Sequence, residues 1–309
     1  MNSIYLITKK NNSNFLSYIL LTVKLICVSI ILTNCGIQLQ VKPPSEFIFV
    51  NEISLTFIPQ DIAFNNYSNT LYLLKDHNTI YQINLHGHII QKIGGFGLES
   101  GKFTQLTDIT TDAIGKLYIV DKASRIITLY DEHVEFIKNY QFPEISEPYL
   151  IAVKDDGDIL IANSMDNEIY CFDSAGLSEN NLHYQLGKFE LLQPKVLSVC
   201  SNFTYILDDK KNAVFIFDNF GGYIDQISAD QSSNILQPQG NIISITSNRN
   251  FLYLLDSNKN VFIYHPQYKM KNISSLLDNL GMADCIYSSR DLFFVLCGKK
   301  LKVWRIFSH

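Results

Sequence analysis

Six copies of one apolar strand–turn–strand unit, recurring at intervals of 46, 42, 45, 48 and 41 residues with no helical periodicity between them, predict an all-β chain. The copy LYIVDKASRIITLYD begins at Leu117, and the others begin at Leu71, Ile159, Thr204, Leu252 and Phe293. The second strand of a unit, such as LYLL at 71–74, is apolar on both faces, so its sheet must be sandwiched between two neighbouring sheets. One four-stranded sheet cannot bury both faces alone, whereas radial packing of several such sheets does. The expected fold is therefore a six-bladed β-propeller of four-stranded antiparallel blades.

From the N-terminus, the first 35 residues carry Lys9, Lys10 and Lys24 and no acid, the first acid being Glu46. A basic start, the apolar run LICVSIILT and a following Asn-Cys-Gly read as an export signal over residues 1–34. The end of that segment, LTNC at 32–35, resembles the bacterial lipobox, with Asn34 departing from the small residue usual there. The resemblance implies that Cys35 carries lipid and becomes the mature N-terminus. An uncleaved anchor over residues 15–33, made expensive by Lys24, and an ordinary cleaved signal are the alternatives. All three place the folded part outside the cytoplasm, in a bacterial cell envelope.

Residues 35–45, with Pro43 and Pro44, form a tether to the membrane, and residues 46–309 form the propeller. The segment EFIFVNEISLTF (46–57) is a spare strand ahead of the first blade. The last unit ends at His309 just after its third strand, LKVWRIF. Residues 46–57 are thus expected to supply the fourth strand of blade six, tying the two ends of the chain together. In blade one the strands are DIAF (61–64), LYLL (71–74), TIYQIN (79–84) and HIIQKI (88–93), separated by polar turns. This strand order brings the tether in on the face of the third-to-fourth turns and leaves the inter-blade linkers facing away from the membrane. The longest linkers, 93–106 and 228–239, make that outward face the expected binding surface.

The stretch GGFGLESGKFTQLTDITTDAIGKLYIVDKASRIITLYD (94–131) resembles the NHL repeat: a glycine-containing linker, a first strand, a hairpin, an apolar strand ending in Asp, then a basic residue. Asp121 and Arg125 hold the last two places. Asp208 and Asp256 match the Asp position, while Lys75 and Asn163 depart from it. The resemblance extends loosely over residues 46–307. It implies a six-bladed ring and, in outline, an exported propeller lipoprotein of bacteria.

Formal charge is −5, or −8 without the three leading lysines (22 Lys and Arg against 30 acids), which argues against a nucleic-acid partner. Asp121, Asp208 and Asp256 read as turn-shaping residues that bond their own following backbone. Asp61, Asp108 and Asp284 stand at first-strand starts in blades one, two and six, with Leu150, Val196 and Ile242 at the corresponding places of the other three. Three acids at a channel mouth would suit a cation such as calcium, with solvated turn acids as the alternative. The pair His86 and His88 falls on an outer turn with no third ligand in view. Zinc-using propeller lyases, which resemble NHL proteins, hold metal with channel-lining histidines, and no His falls in a first strand here. Cys285 and Cys297 could face each other across a hairpin; small buried residues are the alternative reading. The expected function is a monomeric, lipid-anchored, non-enzymatic module, without a cofactor, that binds a protein, peptide or glycan. The alternative is a metal-dependent hydrolase or lyase. A channel mouth lined by three converging His, Asp or Glu side chains favours the enzyme; Ser, Thr and aliphatic groups favour the binder.

Overall fold

The computed structural model describes residues 42–177, 190–200, 202–229, 237–248, 251–266, 270–277 and 280–308. The leader, Cys35, most of the tether, His183, His309 and residues 230–236 of the second long linker lie outside the described residues.

The first strand, β1 (Glu46–Ser54), precedes blade one, which is β2 (Asp61–Asn65), β3 (Thr70–Lys75), β4 (Thr79–Asn84) and β5 (Ile89–Gly94). Blade two is β6 (Leu106–Thr111), β7 (Leu117–Asp121), β8 (Ile126–Tyr130) and β9 (Phe136–Tyr140). Blade three has three described strands, β10 (Pro148–Val153), β11 (Ile159–Asn163) and β12 (Ile169–Phe172). Blade four is β13 (Pro194–Cys200), β14 (Phe203–Asp208), β15 (Ala213–Asp218) and β16 (Tyr223–Ser228). Blade five is β17 (Ile242–Asn248), β18 (Phe251–Asp256), β19 (Val261–Tyr264) and β20 (Lys271–Asn272). Blade six comprises β21 (Cys285–Ser289), β22 (Leu292–Cys297) and β23 (Lys300–Phe307), completed by β1. Among the described residues the only helix is one 3₁₀ turn, Ser274–Leu276.

The second strands are buried along nearly their whole length, as β7 and β18 are at every position. That is the physical consequence of their two-sided apolarity: each is covered by a blade on either side. The core consequently lies between blades. Phe64, Leu71 and Leu73 of blade one pack on Phe294 and Val303 of blade six. Similar clusters join blades one and two, two and three, three and four, and four and five. Blades five and six meet through Tyr253 and Phe293, whose ring centroids are 5.2 Å apart.

The ring closes by the expected exchange. β1 runs antiparallel to β23 from Glu46 opposite Phe307 to Ser54 opposite Lys300, extended by Ser45 N–H to Phe307 C=O at 3.0 Å. Its first residue therefore sits at the end of β23, where the third-to-fourth turns of other blades occur. Phe47 and Ile53 are buried, and Phe49 stands edge-on to Trp304 at 5.5 Å.

Candidate functional site

First strands of neighbouring blades lie side by side around the axis, so their side chains decide the channel. Register fixes which residues are equivalent. Asp61 pairs with Leu74, Asp108 with Val120, Leu150 with Ala162, Val196 with Leu207, Ser244 with Leu255 and Cys285 with Leu296. In blades two to five the pairing skips one residue just before this position, at Thr107, Tyr149, Lys195 and Ile243. Such a β-bulge sets two residues against one and shifts the count. In blade five the skip at Ile243 puts Ser244, not the expected Ile242, in the ring, and in blade six, which has no bulge, the register puts Cys285, not the expected Asp284, opposite Leu296. Ile242 is buried core. Asp284 is exposed, and its carboxylate accepts the Gly298 N–H at 2.7 Å, capping the hairpin turn of blade six.

Asp61 and Asp108 do come together, and they stitch blades. Asp61 Oδ2 accepts the Ile109 N–H of blade two at 2.7 Å, and Asp108 Oδ2 accepts the Ile151 N–H of blade three at 2.6 Å. Ser244 repeats the device by accepting the Ile286 N–H of blade six at 3.2 Å. The two carboxyls also hydrogen-bond each other. Burial pushes both upward. Asp108 goes well above the carboxylate range because the Asp61 charge adds to burial and its own proton is donated to Asp61. Asp61 rises less, since it accepts that proton. Each keeps some surface toward the lumen, yet neither is solvated as a surface acid would be. Three backbone N–H groups, those of Ile62, Ile109 and Ile151, donate to the pair. Among the described residues no three His, Cys, Asp or Glu side chains converge in a way that could hold a metal.

Toward the other mouth the channel widens into a cavity of about 320 Å³, lined by Ser198, Ser247, Thr246, Ser288, Asn248 and their neighbours. These hydroxyls pair across blades: Ser198 with Ser247 at 2.7 Å, Thr246 with Ser288 at 3.1 Å, and Ser289 with the Asn66 side chain at 2.9 Å. The lining is mostly Ser, Thr, Asn and aliphatic, with Cys200 and Tyr287 among it. Asp112, Asp155 and Arg290 stand at its rim, and the Arg290 guanidinium donates to Ala113 C=O at 3.4 Å.

The histidines lie elsewhere. His77, in the β3–β4 turn, bonds Leu106 C=O and the Gln60 side chain. His86 and His88 are exposed in the β4–β5 turn, 6.4 Å apart. His265 packs between Phe203 and Phe251, and burial lowers its pKa. None of the four cysteines of the propeller is in a disulfide. Cys285 pairs with Leu296, so Cys297, one residue on, projects to the opposite face of the sheet; its thiol donates to Leu280 C=O.

The repeated Asp at the end of the second strand has a role that its local sequence does not show. Asp121, 3 % exposed, accepts the Thr104 N–H and hydroxyl, both at 2.7 Å, and the Gln105 N–H at 3.0 Å. Asp208 does the same to Leu192 and Gln193, and Asn163 to Glu147. Besides shaping its own turn, the side chain clasps the linker that enters its blade. Asp121 and Asp208 also keep the expected local bond, from Ser124 and Lys211, while among the described residues Asp256 shows the local pattern without the clasp, bonding Asn260.

That clasp makes the linker between blades one and two a rigid object. Phe103 is buried, a β-bridge joins Phe96 to Phe103, and Gly94, at φ +87°, packs so tightly on the Phe103 ring that a Cβ would lie 2.5 Å from it. At its tip Phe96 and Leu98 are 77 % and 90 % exposed beside a groove of about 230 Å³.

No protein-family model matches the sequence, and neither does any curated protein. Many solved structures share the fold. One is described as a streptogramin B lyase, 12% identical, with a TM-score of 0.57 over 85% of this chain and 98% of that one. Two are virginiamycin B lyase from Staphylococcus aureus. A catalytically inactive variant with quinupristin is 16% identical (TM-score 0.58), and a selenomethionine form is 15% identical (TM-score 0.53); each matches over 85% of this chain and all of that one. At these identities the likeness establishes the fold alone.

Proposed function

We propose that this chain is an extracytoplasmic propeller, held to a bacterial envelope membrane through Cys35, that binds a protein or peptide partner on its inter-blade linker face without catalysing a reaction. One observation carries the reading. Phe96 and Leu98, two large apolar side chains, are held almost fully in water at the tip of a linker that is itself fixed by Asp121, Phe103 and Gly94. An apolar anchor on a rigid element loses little freedom on binding, so more of its contact energy appears as affinity. The Ser and Thr hydroxyls of the mouth that pair across blades support the same reading. The test is affinity capture from envelope extract with wild type and with Phe96→Ser/Leu98→Ser. A partner held by wild type and lost from the variant is expected. Equal capture by both would overturn the linker face as the site.

A lyase remains the second reading, favoured by the structural neighbours. Incubation of the purified chain with quinupristin and divalent metal, followed by mass spectrometry, separates the two: the binding reading expects the compound to be returned unchanged.

A further inference from the structure

The fourth strands of four blades share an irregularity at one register position. β1, β5, β9 and β16 each carry a bulge just after the third-to-fourth turn or its equivalent. The extra residues are Val50, Ile90, Ile137 and Ile224, with exposures of 48, 53, 42 and 41 %. Bulges on edge strands commonly blunt the edge against pairing, a task that charged residues and proline assist. Here the added residue is a branched aliphatic every time. It is preceded by a second exposed apolar residue, Phe49, Ile89 and Phe136 in blades six, one and two. Those three blades are consecutive in the ring, so exposed apolar side chains recur on neighbouring outer edges as a belt of separate pairs.

We propose that this belt docks into the interfacial region of a lipid bilayer, so that the propeller body lies against the membrane rather than swinging on its tether. The chain itself names the occupant. β1 contributes the first part of the belt, and the apolar run LICVSIILT ends just before Cys35, about ten residues ahead of Glu46. Fully extended, that span reaches at most about 35 Å. A body so tethered meets the membrane at high effective concentration, and the edge by which the tether enters is the edge that carries the belt. Aliphatic and aromatic side chains standing out from a polar body suit the headgroup–acyl boundary. The proposal rests on the reading that the leader or Cys35 anchors the chain. It also leaves Phe96 and Leu98 free on the opposite, linker-bearing face.

The test uses the full chain reconstituted into vesicles of equimolar phosphatidylcholine and phosphatidylglycerol, with and without brominated acyl chains. An environment-sensitive thiol probe is placed by Val50→Cys, Ile90→Cys or Ile137→Cys, with Leu98→Cys as the control. Co-flotation reports anchoring, and probe emission reports docking. Blue-shifted emission quenched by brominated lipid at residues 50, 90 and 137, with residue 98 unaffected, is the expected result. Co-flotation with all four probes water-exposed overturns the belt while sparing the anchor. Failure to float overturns both. A blue shift that appears without lipid and grows with protein concentration assigns the belt to a second copy of the chain and overturns lipid docking.

Discussion

Replacing Asp121 by alanine tests whether the entry clasp sets the shape of the linker face. The change removes one buried carboxylate and leaves three close donors, the Thr104 N–H, the Thr104 hydroxyl and the Gln105 N–H, without their acceptor, together with the longer Ser124 N–H contact at 3.3 Å. A buried donor left unpaired costs about 1–3 kcal/mol. Gln105 is exposed and Thr104 half-buried, so water recovers part of this and the low end applies: about 3 kcal/mol for the three. For a domain of this size that corresponds to a fall in Tm of roughly 6–12 °C. Burial alone would push the Asp121 carboxyl up, but the donors from Thr104, Gln105 and Ser124 outweigh it and hold it below the usual value. The clasp is therefore complete above the unfolded carboxylate range, near about pH 4, and is lost as pH falls through the lower folded value. Wild type and Asp121→Ala should differ most at neutral pH and converge in acid. Urea unfolding at several pH values measures this, with Asp121→Asn, which keeps one acceptor oxygen, expected between the two. Amide exchange should show the added opening confined to residues 95–106. A stability within about 0.5 kcal/mol of wild type at pH 7, the range of an ordinary surface change, would refute the reasoning.

Two further outcomes follow from buried groups. Asp108→Asn can still accept the Ile151 N–H and donate to Asp61, but it removes a carboxyl whose folded pKa is raised. The native state binds more protons than the unfolded chain across that window, so wild-type stability falls as pH rises through it, and the penalty persists above. The variant should therefore gain in Tm relative to wild type from acid to pH 8, and parallel Tm–pH curves would contradict the shared proton. Trp304 is fully buried with an indole N–H that has no partner, so Trp304→Phe should cost little beyond lost volume, whereas Trp304→Ala should cost about 3–5 kcal/mol in denaturant unfolding.

The blades were legible because two-sided burial forces continuous apolar strands, and these recur visibly in sequence. The closure by residues 46–54 was legible as well, since one strand was left over at the start and one was missing at the end. The channel was not. Counting along the chain places Asp284 and Ile242 beside Asp61 and Asp108, but the bulge at Ile243 displaces the count in blade five, and in blade six the strand pairing begins one residue later, at Cys285; nothing in residue type announces either. The long reach of Asp121 to Thr104 was hidden for a related reason. A local Asx turn and a clasp on a linker 16–17 residues earlier need the same side chain at the same place. The apolar bulge residues were in plain view, but in sequence Ile90 and Ile137 look like any strand interior.

The central claim is that a partner sits on the linker face, and site-specific photo-crosslinking in intact cells tests it most directly. A photoreactive residue at Leu98 should give a discrete adduct with one protein. The same residue at Ile114, exposed in the β6–β7 turn toward the other mouth, should give none. An adduct at Ile114 with Leu98 silent would contradict the account.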